Sequence, residues 1–176
     1  NLLQSIVIGC VLGSILGFML GFAVDKNDTT FHSPDEVAGF LNIPIVGHIP
    51  VIPEDQQGIP LDAELDPSLI TYYKPKSRLS EAYRGIRTAL YFSMSAEKQR
   101  VIQVTSPNPG DGKTTLCANL AISIAQSGKR VLLIDADLRR PRVHDLFRVD
   151  SSEGLGSVLL GESELPDAIQ YTEVEN

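Results

Sequence analysis

The chain of 176 residues carries 22 acidic against 15 basic side chains, and its formal net charge of −7 removes any overall basic surface for nucleic acid. An apolar content of 43% is ordinary for a globular protein, enough for one domain with additions. The two cysteines, Cys10 and Cys117, sit in segments not expected to meet, so neither a disulfide framework nor a cysteine metal site is expected, as in a reducing compartment.

From Ile6 to Val24 no residue is charged. At ~1.5 Å rise per residue such a helix spans roughly the ~30 Å hydrocarbon core of a bilayer, and residues 1–24 are predicted as a transmembrane helix. Gly9, Gly13, Gly17 and Gly21 fall on one helix face. They either let another helix approach closely or reflect the ordinary abundance of glycine in membrane helices. The segment has neither the basic front nor the small-residue cleavage site of a secretory signal. Lys26, alone between Asp25 and Asp28, does not set an orientation; a nucleotide site downstream would, because it needs cytoplasm.

Residues 25–76 read as a juxtamembrane segment and linker. Ser33-Pro34-Asp35-Glu36 combines a capping residue, a proline at the first helical position and a glutamate three beyond the cap, so a short helix is expected through about Leu41. Six of the eleven prolines then lie between Pro44 and Pro75, which predicts a linker or a strip of chain lying on a domain. His32 and His48 have no partners at ligand spacing and are not expected to bind metal.

Between Ser77 and Ser93 the apolar Leu79, Ala82, Tyr83, Ile86, Ala89 and Leu90 follow helical spacing. The other face carries Glu81, Arg84 and Arg87, three apart, which are either a solvated face with one ion pair or a contact between subunits.

Arg100–Thr105 is a β-rich run, followed by a turn-forming cluster and a helical pattern from Thr114 to about Gln126. That strand, loop and helix order is the setting of a phosphate-binding loop, here Pro109-Gly110-Asp111-Gly112-Lys113-Thr114-Thr115. Backbone N–H groups line such a loop, and glycine is needed where a Cβ would block the approach of a phosphate. Lys113 is placed to reach the β- and γ-phosphates, Thr114 to give its hydroxyl to Mg²⁺, and the following helix adds its positive end. Asp111, an acid beside a phosphate, is expected to turn its side chain outward. Pro107 stands where the full consensus wants glycine. Downstream, Gly128-Lys129-Arg130 closes the helix and Val131–Asp135 reads as a buried parallel strand. Ligands bind at the carboxyl ends of such strands, so Asp135 and Asp137 are expected at the same edge as Lys113. There they could serve Mg²⁺ or take a proton from an attacking hydroxyl.

These residues together resemble the bacterial tyrosine kinases that accompany capsule and exopolysaccharide synthesis. The resemblance rests on the membrane helix, the Ser33–Glu36 and Ile43–Pro50 stretches, Glu81–Thr88, the phosphate loop and Val131–Pro141. It implies an α/β, P-loop NTPase-like doubly wound parallel sheet, of which residues 77–176 are the N-terminal portion. It also implies an ATP- and Mg²⁺-dependent autokinase in the bacterial inner membrane with its kinase part in the cytoplasm. By the same resemblance Ser106–Thr115 is the Walker A loop, and Asp135 and Asp137 serve magnesium and the tyrosine hydroxyl, with Lys113 as the third catalytic group. Glu81, Arg84 and Arg87 match an E-x-x-R-x-x-R motif that joins subunits into a ring. Implied partners are the tyrosine-rich tail of the neighbouring subunit and the polysaccharide polymerase and export machinery. A periplasmic region before Asn1, and a Walker B strand and tyrosine-rich tail after Asn176, are expected, so the chain is read as a piece that binds nucleotide poorly and does not phosphorylate alone. The rivals are a catalytically silent chain-length-regulating scaffold and a partitioning-type P-loop ATPase. Against the second, Asn108 occupies the position of its signature lysine.

Overall fold

The computed structural model describes residues 2–27, 34–50, 58–59, 63–93 and 101–175. Ser33 as a helix cap, His32, and Arg100 as the start of a strand lie outside the described residues. The chain forms two compact units, residues 1–45 and 46–176.

The first unit contains helix α1 (Leu2–Asn27) and helix α2 (Pro34–Leu41). The window Gln4–Ala23 of α1 has a mean hydropathy of 2.4 over 20 residues and no part of it is buried within the unit, so the helix is long and apolar enough to cross a membrane. Its apolar residues face outward all round, Phe18 at 79% exposure and Leu16 at 63%, whereas a core-packing helix would bury one stripe.

The second unit is organised on helix α5 (Lys113–Ala125), whose sequence is apolar on two flanks. One flank, Ala118 and Ile122, packs with Leu65, Leu69, Leu146 and Phe147, and the other, Leu120, packs with Ile70, Leu79, Tyr83 and Ile86. Leu79, Tyr83 and Ile86 form the inner face of α4 (Arg78–Ser93), as their spacing predicts. Ser77 caps α4 by accepting the Ser80 N–H at 3.2 Å. Where the chain passes over α4 at Gly47 there is no room for a side chain, since a Cβ would stand 2.5 Å from Ile86 Cγ1. Gly47 therefore lets residues 46–49 lie directly on the helix, and Ile49 completes the cluster beneath it.

Within the proline-rich stretch, Leu65 and Leu69 are 1% and 0% exposed and belong to the core, and a short helix α3 (Ile70–Tyr73) follows. Tyr73 closes this strap by donating its hydroxyl to the Leu65 carbonyl at 2.9 Å while accepting the Leu65 N–H at 2.7 Å. Asn119, wholly buried in α5, accepts the Thr71 N–H at 2.9 Å and donates to the Ser68 and Thr115 carbonyls, each at 3.0 Å. Two turns further along, Gln126 donates to the Thr71 carbonyl at 3.0 Å. The strap is thus bonded along the flank of the helix that starts at the phosphate loop. Helices α6 (Val143–Phe147), α7 (Leu155–Leu160) and α8 (Leu165–Ala168) complete the described residues.

No strand is assigned among the described residues, so the predicted strands are found without a ladder over residues 101–105 and 131–135. The second of these keeps the strand period: residues 131, 133, 135 and 137 are half-buried while 132, 134, 136 and 138 are exposed. A period of two with one face covered is the side-chain geometry of a strand, and ladder bonds require a neighbouring strand.

Candidate nucleotide site

The loop before α5 is shaped by two glycines in the left-handed region, Gly110 at φ +89° and Gly112 at φ +86°. L side chains seldom adopt that backbone, so the turn into the helix depends on glycine at both positions. A Cβ built on either meets nothing within 4 Å, so the space above the loop is open. Gly112 is the N-cap of α5 and has no side chain to bond the first-turn N–H groups. Those donors, with the positive end of the helix, suit an anion, and this fits a phosphate group. Asp111 turns back on the loop, its Oδ2 accepting the Asn108 N–H at 2.9 Å. The side chain is exposed, and this local bond braces the turn.

The extended segment 131–138 runs along α5 and delivers its two aspartates to different tasks. Asp137 Oδ2 stands 3.3 Å from Lys113 Nζ, both side chains about one-third exposed. Its other oxygen accepts the Arg140 N–H at 3.1 Å. That backbone N–H, then Lys113, hold the Asp137 carboxyl below its usual value. Asp135 is bonded to the backbone at both oxygens. Oδ1 accepts the Asp137 N–H at 3.0 Å, and Oδ2 accepts those of Arg142 at 2.8 Å and Val143 at 3.0 Å, which fastens the start of α6. Burial, with the Asp135 charge nearby, pushes the Cys117 thiol up, so that this α5 cysteine stays protonated and unreactive at neutral pH.

Lys113 and Asp137 are therefore brought together as the sequence predicts, Asp135 sits beside them as the organiser of the 135–143 loop, and Thr114 occupies the first turn of α5. Among the described residues no group of three or more His, Cys, Asp and Glu side chains could hold a metal. A divalent ion at Thr114 and Asp137 would draw its remaining ligands from phosphate and water, which is the habit of Mg²⁺. The oxygen donors present, a hydroxyl and a carboxylate, fit that ion.

Glu81, Arg84 and Arg87 lie in register on α4, with different surroundings. Arg84 pairs with Glu81 at 3.2 Å and donates to the Pro75 carbonyl. Arg87 crosses to α5 and donates to the Ser123 carbonyl at 2.5 Å. Sequence reasoning missed Asn119; the signal was available, since an asparagine in an otherwise apolar helical run needs a buried partner.

Residues 102–159 match the CbiA family, described as the CobQ/CobB/MinD/ParA nucleotide binding domain. The chain is 48% identical over 103 residues to the tyrosine-protein kinase YwqD of Bacillus subtilis, covering 58% of this chain and 44% of that protein. It is 34% identical over 140 residues to the tyrosine-protein kinase ptk of Acinetobacter johnsonii, covering 79% of this chain and 19% of that protein. The solved kinase domain of the Escherichia coli tyrosine kinase ETK superposes with a TM-score of 0.74 at 32% identity, over 81% of this chain and 56% of that one. The chain thus spans less than half the length of the curated relatives described here. Over the stretch it shares with them, the chain is similar to the bacterial tyrosine-protein kinases, and residues 102–159 match a nucleotide-binding domain family.

Proposed function

We propose that this chain is the membrane-anchored portion of an ATP-dependent protein-tyrosine autokinase that regulates exopolysaccharide or capsule polymerisation and export. The observation that carries the reading is the meeting of Lys113 and Asp137 at 3.3 Å beside a loop bent by Gly110 and Gly112. The loop from Pro109 to Thr115 would cradle the phosphates of ATP through the backbone N–H groups of Gly110 to Thr115, and Lys113 would place its charge on the β- and γ-phosphates. Thr114 and Asp137 are the residues that would hold Mg²⁺, whose chemistry there would be neutralisation of phosphate charge. Asp137, held ionised by the Arg140 N–H and then by Lys113, would orient the incoming tyrosine hydroxyl. Asp135 holds the loop that carries it.

The period-two burial along residues 131–138 supports a doubly wound parallel sheet completed by chain outside residues 1–176. Helix α1 supports an inner-membrane anchor, with the nucleotide site on the cytoplasmic side. The exposed Glu81 and half-buried Arg84 support subunit contact through α4, while Arg87 also ties α4 to α5 within the subunit. The tyrosine-rich tail of a neighbouring subunit and the polysaccharide machinery are the partners this reading implies.

In the full-length protein Lys113→Ala removes Mg·ATP binding and phosphotyrosine; a blot that keeps full signal would refute the kinase. Arg84→Ala with Arg87→Ala leaves the protein monomeric by light scattering, and an unchanged oligomer mass rejects the α4 interface.

A further inference from the structure

The loop that follows Asp137 presents positive charge that no carboxylate among the described residues answers. Arg139, Arg140 and Arg142 are exposed. Among the described residues no ion pair joins their guanidinium groups to a carboxylate. The acids nearby are already engaged, Asp135 by the Arg142 and Val143 N–H groups, Asp137 by Lys113, and Asp145 by His144 at 3.2 Å. The same backbone bonds hold Arg140 and Arg142 in place, since the N–H of each is donated to an aspartate of the site. Two guanidiniums on a fastened loop, three and five residues beyond the carboxylate that meets Lys113, form an anion-reading edge at the reaction centre.

The charge of the chain is segregated to match. Residues 129–148 contain six Lys or Arg, whereas residues 149–176 contain seven Asp or Glu and no Lys or Arg. That acidic stretch carries one tyrosine, Tyr171, 95% exposed, with Glu173 and Glu175 following at +2 and +4. Extended chain advances ~3.3 Å per residue, and a carboxylate at +2 or +4 lies on the same face as the tyrosine. For an acceptor peptide that runs in the same direction as the loop, a tyrosine at Asp137 places its downstream carboxylates toward Arg140 and Arg142. Arginine suits the task because its planar fork binds carboxylates in two-point fashion.

Resting on the kinase reading above, we infer that Arg140 and Arg142 select the phosphoacceptor, favouring tyrosines followed by carboxylates at +2 and +4, as in Tyr171-Thr172-Glu173-Val174-Glu175. An anionic lipid surface is the competing occupant of a basic edge. The position of this edge beside Lys113 and Asp137 favours the peptide.

The test compares two synthetic peptides with the full-length protein, one spanning residues 167–176 and one with Glu173→Gln and Glu175→Gln. The wild type prefers the acidic peptide in kcat/KM through KM. Arg140→Gln with Arg142→Gln collapses that preference by on the order of fivefold, the worth of one or two exposed ion pairs. Raising salt erodes it in the wild type. Equal losses on both peptides would mean a structural role and overturn the inference. Fluorescence anisotropy of the labelled peptides in Mg·ADP decides the matter separately from catalysis. If no peptide is phosphorylated, the kinase reading fails, yet tighter wild-type binding of the acidic peptide, lost in the double variant, still supports the edge. Binding that ignores peptide charge, with phosphatidylglycerol vesicles alone released by the double variant, assigns the edge to lipid and overturns the inference.

Discussion

Helix α5 and the extended segment 131–138 lie side by side in the same unit, and they differ in how far one stretch of chain can complete them. Past its first turn the helix satisfies its N–H groups internally, and it is covered on both flanks, with Ala118, Leu120 and Ile122 at 5% exposure or less. The segment satisfies only one of its faces: Leu132, Ile134 and Leu138 remain 56%, 56% and 61% exposed, and in the other extended run Val101 is 88% exposed. A helix is finished by its own residues and one apolar neighbour, whereas a strand needs other strands on its edges and cover on its second face.

That contrast can be tested at its strongest point first. Asn119→Leu keeps the volume of α5 but leaves the buried Thr71 N–H without its acceptor, at a cost of about 2–3 kcal/mol. Chemical denaturation of the full-length protein checks this, and a change below about 0.5 kcal/mol would show that the strap is not fastened through α5. Next, Ile134→Asn in the full-length protein is expected to cost about 1–2 kcal/mol, because the outer face is then covered by chain beyond that described here. A cost like that of an ordinary surface change, within about 0.5 kcal/mol, would mean that the face stays in water and that no sheet is completed there.

The smallest effect concerns acid. The Asp137 carboxyl is held below its usual value, so its stabilising share is full above the unfolded value of about 3.9 and fades as pH falls through the lowered one. A carboxyl-selective NMR titration should place its midpoint below about 3.9, and Lys113→Ala should move it upward. A midpoint at or above that value would separate Asp137 from the lysine.

Much of the helical layer was legible in the residues. The start of α2 followed from Pro34 and that of α5 from the turn-forming cluster before it, while α4 followed from the apolar spacing between Ser77 and Ser93, all local signals. The pairing of Lys113 with Asp137 was legible because a strand tip and a phosphate loop share an edge in this kind of fold. The division of labour between Asp135 and Asp137 was not, since both are aspartates two residues apart and only the path of the chain to Val143 decides which is consumed by backbone N–H groups. Leu65, Leu69 and Ile70 lie in a proline-rich stretch read as a linker or a strip of chain on a domain; the second holds, and which residues are buried is set by distant partners on α5 and α6. Arg87 was read as a surface charge, and its bond to the Ser123 carbonyl depends on how α4 crosses α5.

The strap has a practical corollary for anyone wishing to excise a detergent-free version. Cutting at residue 77, where the amphipathic helix opens, would strip Leu65, Leu69 and Ile70 from two hydrophobic clusters, remove Tyr73 with the loop it closes, and leave the buried Asn119 without Thr71. A boundary at or before Ala63 retains them, and starting ahead of Val46 also keeps the backbone that rests on Ile86.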